Sequence, residues 1–386
     1  MKFLKKNNEH GNLNRNMVSK NLFIILLTLC TLNISANELN PEKKQTIKVA
    51  LLLDTSNSMD GLINQAKTQL WEIVNELSYA KCESQDPDLL ISLYEYGNSN
   101  LPSDEGYIRQ VIGFSSDLDE ISEKLFSLKT NGGNEFCGEV IQTSLEELNW
   151  GNNKKDLKLI FIAGNEPFTQ GKINYRDATT QANEQDVIVN TIFCGNYQNG
   201  ISGKWQDGAR LTNGDYMVID HNVEIVHIAS PYDDVIIQLN KKLNDTYIYY
   251  GNQGASKMRL QSEQDSNAES LDEVVVVKRA VSKSSRVYKN SSWDLVDAEK
   301  EKGFSYSKLD KKNLPKQLQN KSSEELKKLV AEQSKKRKEI QHKIQELNTK
   351  RNAFVANKRT ESNSKSLDRA LISALKKQAK AKNYIW

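Results

Sequence analysis

The chain has 386 residues, enough for one sizeable domain with an appendage or for two modest domains. Hydrophobic residues make up 38% of the sequence and charged residues 27%, so part of the chain is expected to bury little surface. The 53 basic and 50 acidic residues give a net charge of only +3, so the overall charge of the chain gives no argument for nucleic-acid binding.

Residues 1–36 have the pattern of a secretory signal peptide. Lys20 precedes a short apolar run, Leu22–Leu32, and small residues follow up to Ala36. The run is shorter than the roughly 20 residues that a membrane-spanning helix needs. We therefore predict cleavage near Ala36 and a protein that is exported, either periplasmic or secreted.

Two alternatives at the amino terminus stay open. Met17 begins a compact signal by itself, which would make residues 1–16 an over-called start. Cys30 lies inside the apolar run, but Leu29 stands where a lipoprotein signal has a small residue, so a lipid anchor is the less favoured reading.

Apolar strands alternate with amphipathic helices from residue 45 to residue 248, which predicts an α/β domain with a doubly wound, mostly parallel six-stranded sheet. A short polar loop, residues 97–106, joins the second and third strands. A parallel crossover needs a dozen or more residues, so the third strand is predicted to be antiparallel, at an edge of the sheet. The predicted strands are Ile47–Leu53, Leu89–Tyr96, Ile108–Phe114, Leu157–Ala163, Val187–Cys194 and Asp215–Ile219, and the predicted helices are Gly61–Ala80, Leu118–Leu128, Glu135–Leu148 and Pro231–Leu243.

The composition changes after the predicted domain. Residues 249–272 are polar and indicate a linker. Residues 273–315 are interpreted as a small packed segment that begins with a strand at Val274–Val277. Residues 316–386 are predicted to be helical, as a hairpin or a coiled coil.

A long helix is predicted over Ser322–Arg359, followed by a second helix over Leu367–Ala379. The first carries a heptad seam, which favours an antiparallel hairpin within one chain but leaves open coiling between chains. Its basic stretch Ser334–Lys343 indicates a solvated helix face or, as the alternative, contact with an acidic envelope surface. The seam is Leu326, Val330, Gln333, Arg337, Ile340, Ile344, Leu347, Arg351 and Phe354, with three polar breaks at Gln333, Arg337 and Arg351.

The candidate chemistry lies at the end of the first predicted strand. In an open parallel sheet, ligands bind beyond the carboxyl ends of the strands, where Asp54, Ser56 and Ser58 are expected. One carboxylate and two hydroxyls offer hard oxygens to Mg²⁺, or to Mn²⁺ or Ca²⁺. The alternative is an ordinary turn in which Ser58 or Asp60 caps the next helix. A haloacid-dehalogenase type of phosphatase is disfavoured, because it needs a second Asp at position 56.

The string LLLDTSNSM, residues 51–59, resembles the DxSxS motif of von Willebrand factor A domains, known as the metal-ion-dependent adhesion site. The predicted order of strands and helices is also similar to that family, over residues 45–248. The segments GGNEFCGEV and FIAGNEPF are similar to those of uncharacterised bacterial members. The resemblance implies a Rossmann-like fold, a divalent metal and a protein partner.

Two positions depart from the family pattern. Glu135 stands where the family has a Thr ligand, and Gly164 stands where it has an Asp, with Asn165 and Glu166 just beyond. The predicted metal ligands are therefore Asp54, Ser56, Ser58, Glu135 and Glu166. A directly bound Glu135 would make the cation less attractive to an acidic group of a partner.

Three cysteines would remain after cleavage of the signal. Topology places Cys137 and Cys194 at the same end of the sheet, so these two are the better candidates for a disulfide in an oxidising compartment, with buried free thiols as the alternative. Cys82 is expected at the opposite end.

The sequence favours a binding protein over an enzyme. No nucleophilic triad, zinc spacing or Walker-type loop is visible, and His221 and His227 are interpreted as loop or core residues. The leading hypothesis is an exported, non-catalytic adhesion-type protein with a protein partner and a variant metal site. The alternative is an envelope scaffold with a vestigial metal site, which would act, and self-associate, through its C-terminal helices.

Overall fold

The central strand, β1 (Thr46–Asp54), is buried from its second residue to its last, because helices cover both faces of the sheet. In the computed structural model, which describes residues 44–83, 85–219, 228–360 and 367–386, β1 pairs in parallel with strands on both sides. The strands that follow are β2 (Lys81–Cys82), β3 (Asp88–Tyr96), β4 (Ile108–Ser115), β5 (Leu157–Gly164), β6 (Ile188–Cys194), β7 (Tyr216–Ile219) and β8 (Tyr384–Ile385).

Six of these strands form one sheet in the order β4-β3-β1-β5-β6-β7. All neighbours are parallel except β4, which is antiparallel to β3 at the edge, with two register irregularities. The predicted mixed sheet and its antiparallel edge strand are confirmed. A separate two-stranded sheet joins β8 to β2, which fixes the last residues of the chain beside the end of the first helix.

Helices cover the sheet as two layers. The helices are α1 (Asp60–Ser78), α2 (Leu118–Phe126), α3 (Cys137–Glu147), α4 (Tyr175–Glu184), α5 (Tyr197–Ser202), α6 (Trp205–Arg210), α7 (Asp233–Asn244), α8 (Gly254–Leu271), α9 (Glu273–Lys283), α10 (Leu295–Ala298), α11 (Ser323–Thr360) and α12 (Leu367–Ala381), with short 3₁₀ turns at Asn57–Met59, Tyr306–Lys308, Lys311–Asn313 and Lys316–Leu318. One face of the sheet packs on α3, α4 and α6, and the other packs on α1, α2, α7 and helices later in the chain.

The predicted linker and the predicted strand after it are both wrong. Residues 254–271 form α8, and Val274–Val277 lie in α9, which begins with the Asp272 side chain accepting a hydrogen bond from the Val274 amide at 2.7 Å. The four valines are buried because α9 lies between α1, α7, α8 and α11. Burial on all sides gives a continuous apolar run, which periodicity cannot distinguish from a buried strand.

The long predicted helix is present as α11, and its seam is buried within the chain. Leu326, Val330 and Ile344 are fully buried, and the helix packs on α7, α9 and α10 rather than pairing mainly with α12. The polar breaks have partners there. Arg337 Nη1 donates to Asp294 at 2.6 Å, and Arg351 Nε donates to Asp233 at 2.8 Å.

The predicted disulfide is not formed. Cys137 and Cys194 are buried free thiols on opposite faces of the sheet. Cys137, the first residue of α3, packs in the core on one face, whereas Cys194 on β6 packs in the core on the face that α1 covers. Shared position at one end of a sheet does not bring two side chains together when the sheet lies between them.

Residues 44–386 form one compact unit, so α8 to α12 belong to the same body as the sheet. Within the described residues, no helix is both long enough and apolar enough to cross a membrane. The predicted signal peptide and the histidines at 221 and 227 lie outside the described residues.

Candidate functional site

The loop after β1 turns sharply over the carboxyl edge of the sheet. Asp54 is fully buried, and its Oδ1 accepts the backbone amide of Ser56 at 2.7 Å. The hydroxyls of Ser56 and Ser58 lie 3.1 Å apart, and Asn165 Nδ2 donates to Ser58 Oγ at 2.9 Å. This bonding differs from the capping alternative for Ser58, since the residue before α1 is Met59, which makes no side-chain capping bond within the described chain.

Glu135 enters the same site from the turn that precedes α3. Its backbone amide donates to Gln170 Oε1 at 2.8 Å, which holds the residue in place, and its side chain is buried. Gly97, at φ +78°, leaves the necessary room. A β-carbon there would lie 2.7 Å from Glu135 Cγ and 2.9 Å from Asp54 Oδ1, so any side chain at position 97 would collide with both.

The two acidic side chains strongly affect each other. Burial raises the pKa of Asp54 to about 6, and burial together with the Asp54 charge raises the pKa of Glu135 to about 8. A hydrogen bond between the two carboxyl groups favours a protonated Glu135 beside an ionised Asp54, and the charge of the exposed Glu166 raises both pKa values further. Without a cation, the site therefore holds a proton between carboxyl groups.

Three oxygens in this group lack a donor. When both acids are ionised, Asp54 Oδ2, Glu135 Oε2 and Asn165 Oδ1 are buried and have no hydrogen-bond partner among the described residues. Buried polar atoms are usually satisfied, and unsatisfied ones need an explanation. Carboxylate, hydroxyl and amide oxygens are the donors that Mg²⁺, Mn²⁺ and Ca²⁺ prefer, so the residues present fit a divalent cation.

The donor set is mixed rather than purely acidic. Within the described chain, no group of three or more His, Cys, Asp or Glu side chains is arranged to hold a metal ion. A cation here would need the hydroxyls of Ser56 and Ser58, or the amide oxygen of Asn165, beside Asp54 and Glu135.

Tyr96 explains why Gly164 replaces an acidic residue. The Tyr96 hydroxyl donates to the Ala163 carbonyl at 3.0 Å and forms the floor of the site. A β-carbon at Gly164 would lie 2.6 Å from that hydroxyl and 3.3 Å from Asp54 Oδ2, so an Asp side chain has no room. The departure at 164 is thus coupled to the tyrosine on β3, which is separated from Gly164 on β5 by β1.

The structure brings together four of the five predicted ligands: Asp54, Ser56, Ser58 and Glu135. Glu166 lies at the exposed rim and acts on the others through its charge. Asn165 and Gln170 also contribute to the site, and neither is among the predicted ligands. The segment Ala163–Pro167 at the end of a parallel strand was the available signal for Asn165, whereas Gln170 could be found only from the fold.

Residues 48–201 match the family model of the von Willebrand factor type A domain. This chain contains a von Willebrand factor type A domain. The matched region runs from β1 to α5 and includes Asp54, Glu135 and Asn165. The family identification made from the LLLDTSNSM string is confirmed, and domains of this family are usually interaction modules rather than enzymes.

Several solved structures are similar to the domain. BatB from Bacteroides thetaiotaomicron is 15% identical, over 45% of this chain and 90% of that chain, with a TM-score of 0.35. The SpRpn10 VWA domain is 13% identical, over 45% and 88% of the two chains, with a TM-score of 0.34. Proximal thread matrix protein 1 from the mussel byssus, with a zinc-occupied MIDAS motif, is 9% identical, over 46% and 43%, with a TM-score of 0.35. No curated protein matches the sequence.

Proposed function

We propose that the von Willebrand factor A domain of this protein binds a divalent cation at the edge of its sheet and uses the bound cation to recognise a partner without catalysis. The observation that carries the proposal is the group of three buried oxygens, Asp54 Oδ2, Glu135 Oε2 and Asn165 Oδ1, which lack hydrogen-bond donors in the described chain when both acids are ionised. A cation would satisfy all three and relieve the repulsion between the two carboxylates.

The residues that would hold the cation are Asp54, Ser56, Ser58 and Glu135, with Asn165 or the exposed Glu166 at the rim. Bound there, the cation would offer a Lewis-acidic position to an oxygen of a ligand. The chain supplies up to three negative charges, from Asp54, Glu135 and Glu166, against two positive charges of the cation. A neutral oxygen of a protein partner, such as an amide or a hydroxyl, therefore suits the site better than a carboxylate.

The test is a titration of the full chain with Mg²⁺, Mn²⁺ and Ca²⁺, in which the free energy of unfolding is measured. A cation at about 100 times its dissociation constant is expected to add roughly 2.7 kcal/mol. Asp54→Ala should remove this gain, whereas Glu123→Ala, at an exposed acid on α2, should keep it.

The proposal fails if none of the three cations stabilises the wild-type chain, or if Asp54→Ala responds as the wild type does. Either result would favour the alternative of a scaffold that acts through its C-terminal helices. A partner is then sought by affinity capture from envelope extracts, with and without a chelator, and loss of capture in the chelator identifies a cation-dependent partner.

We further propose that the protein acts outside the cytoplasm, on the strength of the signal pattern in residues 1–36. Sequencing the amino terminus of the mature protein tests this. A mature chain that begins near residue 37 is expected, and one that retains Leu22–Leu32 would contradict it.

A further inference from the structure

A lysine, an asparagine and an aspartate meet inside the helical layer, far along the chain from the loop at Asp54. Lys283, the last residue of α9, is fully buried. Its Nζ lies 2.5 Å from Oδ1 of Asn244, the last residue of α7, and 2.8 Å from Oδ2 of Asp265 in α8. Three helices thus contribute one functional group each.

Asp265 contacts both of the other groups. Asn244 Nδ2 donates to Asp265 Oδ2 at 2.7 Å, so the same carboxylate oxygen lies between the amine of Lys283 and the amide nitrogen of Asn244. Its other oxygen accepts from Arg279 Nε at 2.5 Å. The carboxylate is therefore oriented by an arginine and placed to move a proton between the two nitrogens.

We propose that Lys283 and Asn244 become joined by an intramolecular isopeptide bond, with Asp265 transferring protons between them. The geometry suits this reaction. A carbonyl bond is about 1.23 Å long, so the Asn244 Cγ lies within about 3.7 Å of Lys283 Nζ. Reacting atoms in a near-attack arrangement lie roughly 3–3.5 Å apart, and the folded chain holds this pair in or just outside that range.

The atoms and charges balance without a co-reactant. Lys283 passes a proton to Asp265 for the moment of reaction only, since Arg279 otherwise keeps that carboxyl ionised, and the neutral amine attacks Cγ of the Asn244 carboxamide. The new C–N bond forms while the bond from Cγ to the amide nitrogen breaks, and Asp265 passes protons to that nitrogen. The ammonium ion of Lys283 and the carboxamide of Asn244 thus become one secondary amide and one ammonium ion. Asp265 returns to its carboxylate form, facing Arg279.

The surroundings of Lys283 favour its neutral amine and leave the released ammonia a path to solvent. Burial lowers the pKa of Lys283 to about 8; the charge of Asp265 offsets this only in part, and the nearby charge of Arg279 adds to the lowering. A lysine with a lowered pKa is a better nucleophile at neutral pH. Asn244 is only half-buried, so the released ammonia can reach solvent from its side of the cluster.

The experiment is mass spectrometry of the purified full chain and of its tryptic peptides. An isopeptide bond lowers the intact mass by one ammonia and blocks cleavage after Lys283. Residues 243–257 and 280–286 should therefore appear as one branched peptide. Recovery of the linear peptides, with cleavage after Lys283 and no ammonia loss in the folded wild-type chain, would overturn the proposal.

Variants separate the bond from other sources of ammonia loss. Lys283→Arg keeps the positive charge and should restore the full mass, and Asp265→Asn should give the linear chain. Lys278→Arg, on the same helix and paired with Glu72, should leave the branched peptide in place. Ammonia loss that persists in Lys283→Arg would indicate a succinimide at another asparagine and would also contradict the proposal. The mass of the wild type decides the question even if a variant fails to fold.

Discussion

Two groups of buried carboxylates in this chain have opposite surroundings. In the helical layer, Asp265 and Asp119 face Arg279 and Lys283, which is a buried cation in its free form, and Arg279 bonds to both acids. At the edge of the sheet, Asp54 and Glu135 face each other, and neither forms an ion pair within the described chain.

The pKa values follow from this difference. Burial would raise the pKa of Asp265, but the charges of Arg279 and Lys283 outweigh burial and hold it well below its usual range. Burial raises the pKa of Asp54 and Glu135, and among the described residues no cationic side chain is a main cause that offsets it. In the first group, basic side chains of the protein itself balance the charges of the carboxylates. The second lacks a positive charge, and a missing charge at the carboxyl edge of a parallel sheet indicates a place for a ligand.

The largest expected effect on stability comes from removing the Asp265 carboxylate from the ion-paired group in the helical layer. Asp265→Asn leaves Arg279 and Lys283, both buried, with Asp119 as their remaining carboxylate. Breaking a buried ion pair by removing one partner costs about 3–5 kcal/mol, and we expect a loss of about 4 kcal/mol in the free energy of unfolding. Urea denaturation of the full chain measures it.

Two variants show whether this loss is specific. Glu263→Gln changes an exposed acid on the same helix and should stay within about 0.5 kcal/mol of the wild type. Lys283→Arg cannot form the proposed cross-link but has a positive charge at position 283 beside Arg279, so it separates the ionic loss from any effect of the cross-link. A loss below about 1 kcal/mol in Asp265→Asn would show that burial, rather than pairing, dominates this group.

A somewhat smaller effect on stability is expected at Arg337, through which α11 contacts Asp294. Arg337 donates to Asp294 at 2.6 Å, and its guanidinium lies 4.0 Å from the centre of the Tyr247 ring. Arg337→Met would keep the packing volume but leave Asp294 buried without its cation, at a cost of about 3 kcal/mol. Lys338→Met, at the next and exposed position, is the matched control for the same denaturation measurement and should be nearly neutral. Equal effects of the two variants would show that Arg337 is no more than part of the helix surface.

These polar contacts also explain what the sequence could and could not predict. The strands of the sheet were found because their apolar runs report burial directly. Helix α8 was missed because its buried side includes Gln261, Gln264 and Asp265, which a hydrophobic pattern counts as solvent-facing. Arg337 and Arg351 broke the predicted heptad seam for the same reason, since their partners Asp294 and Asp233 lie far away in sequence.

The candidate site was predictable where its residues directly follow one strand, and less so where it depends on contacts between residues of different strands. Asp54, Ser56 and Ser58 were found because they directly follow β1. Glu135 was found by its position relative to the family pattern. The exclusion of an acid at Gly164 depends on Tyr96, which lies on a strand two positions away in the sheet order and contacts it through the hydroxyl. No local pattern reports such a contact.

The smallest expected effect is a gain in stability rather than a loss, and it tests the pair of facing carboxylates, Asp54 and Glu135. Asp54→Asn removes one of two facing buried carboxylates, while the asparagine oxygen can still accept the Ser56 amide. In the presence of a chelator, we expect this variant to be more stable than the wild type by about 1 kcal/mol, because binding groups are often held at a cost in stability. Added Mg²⁺, Mn²⁺ or Ca²⁺ should then stabilise the wild type and leave the variant unchanged. If Asp54→Asn instead loses stability in chelator, as Asp265→Asn is expected to, then Asp54 is a structural carboxylate and the two groups differ less than their surroundings indicate.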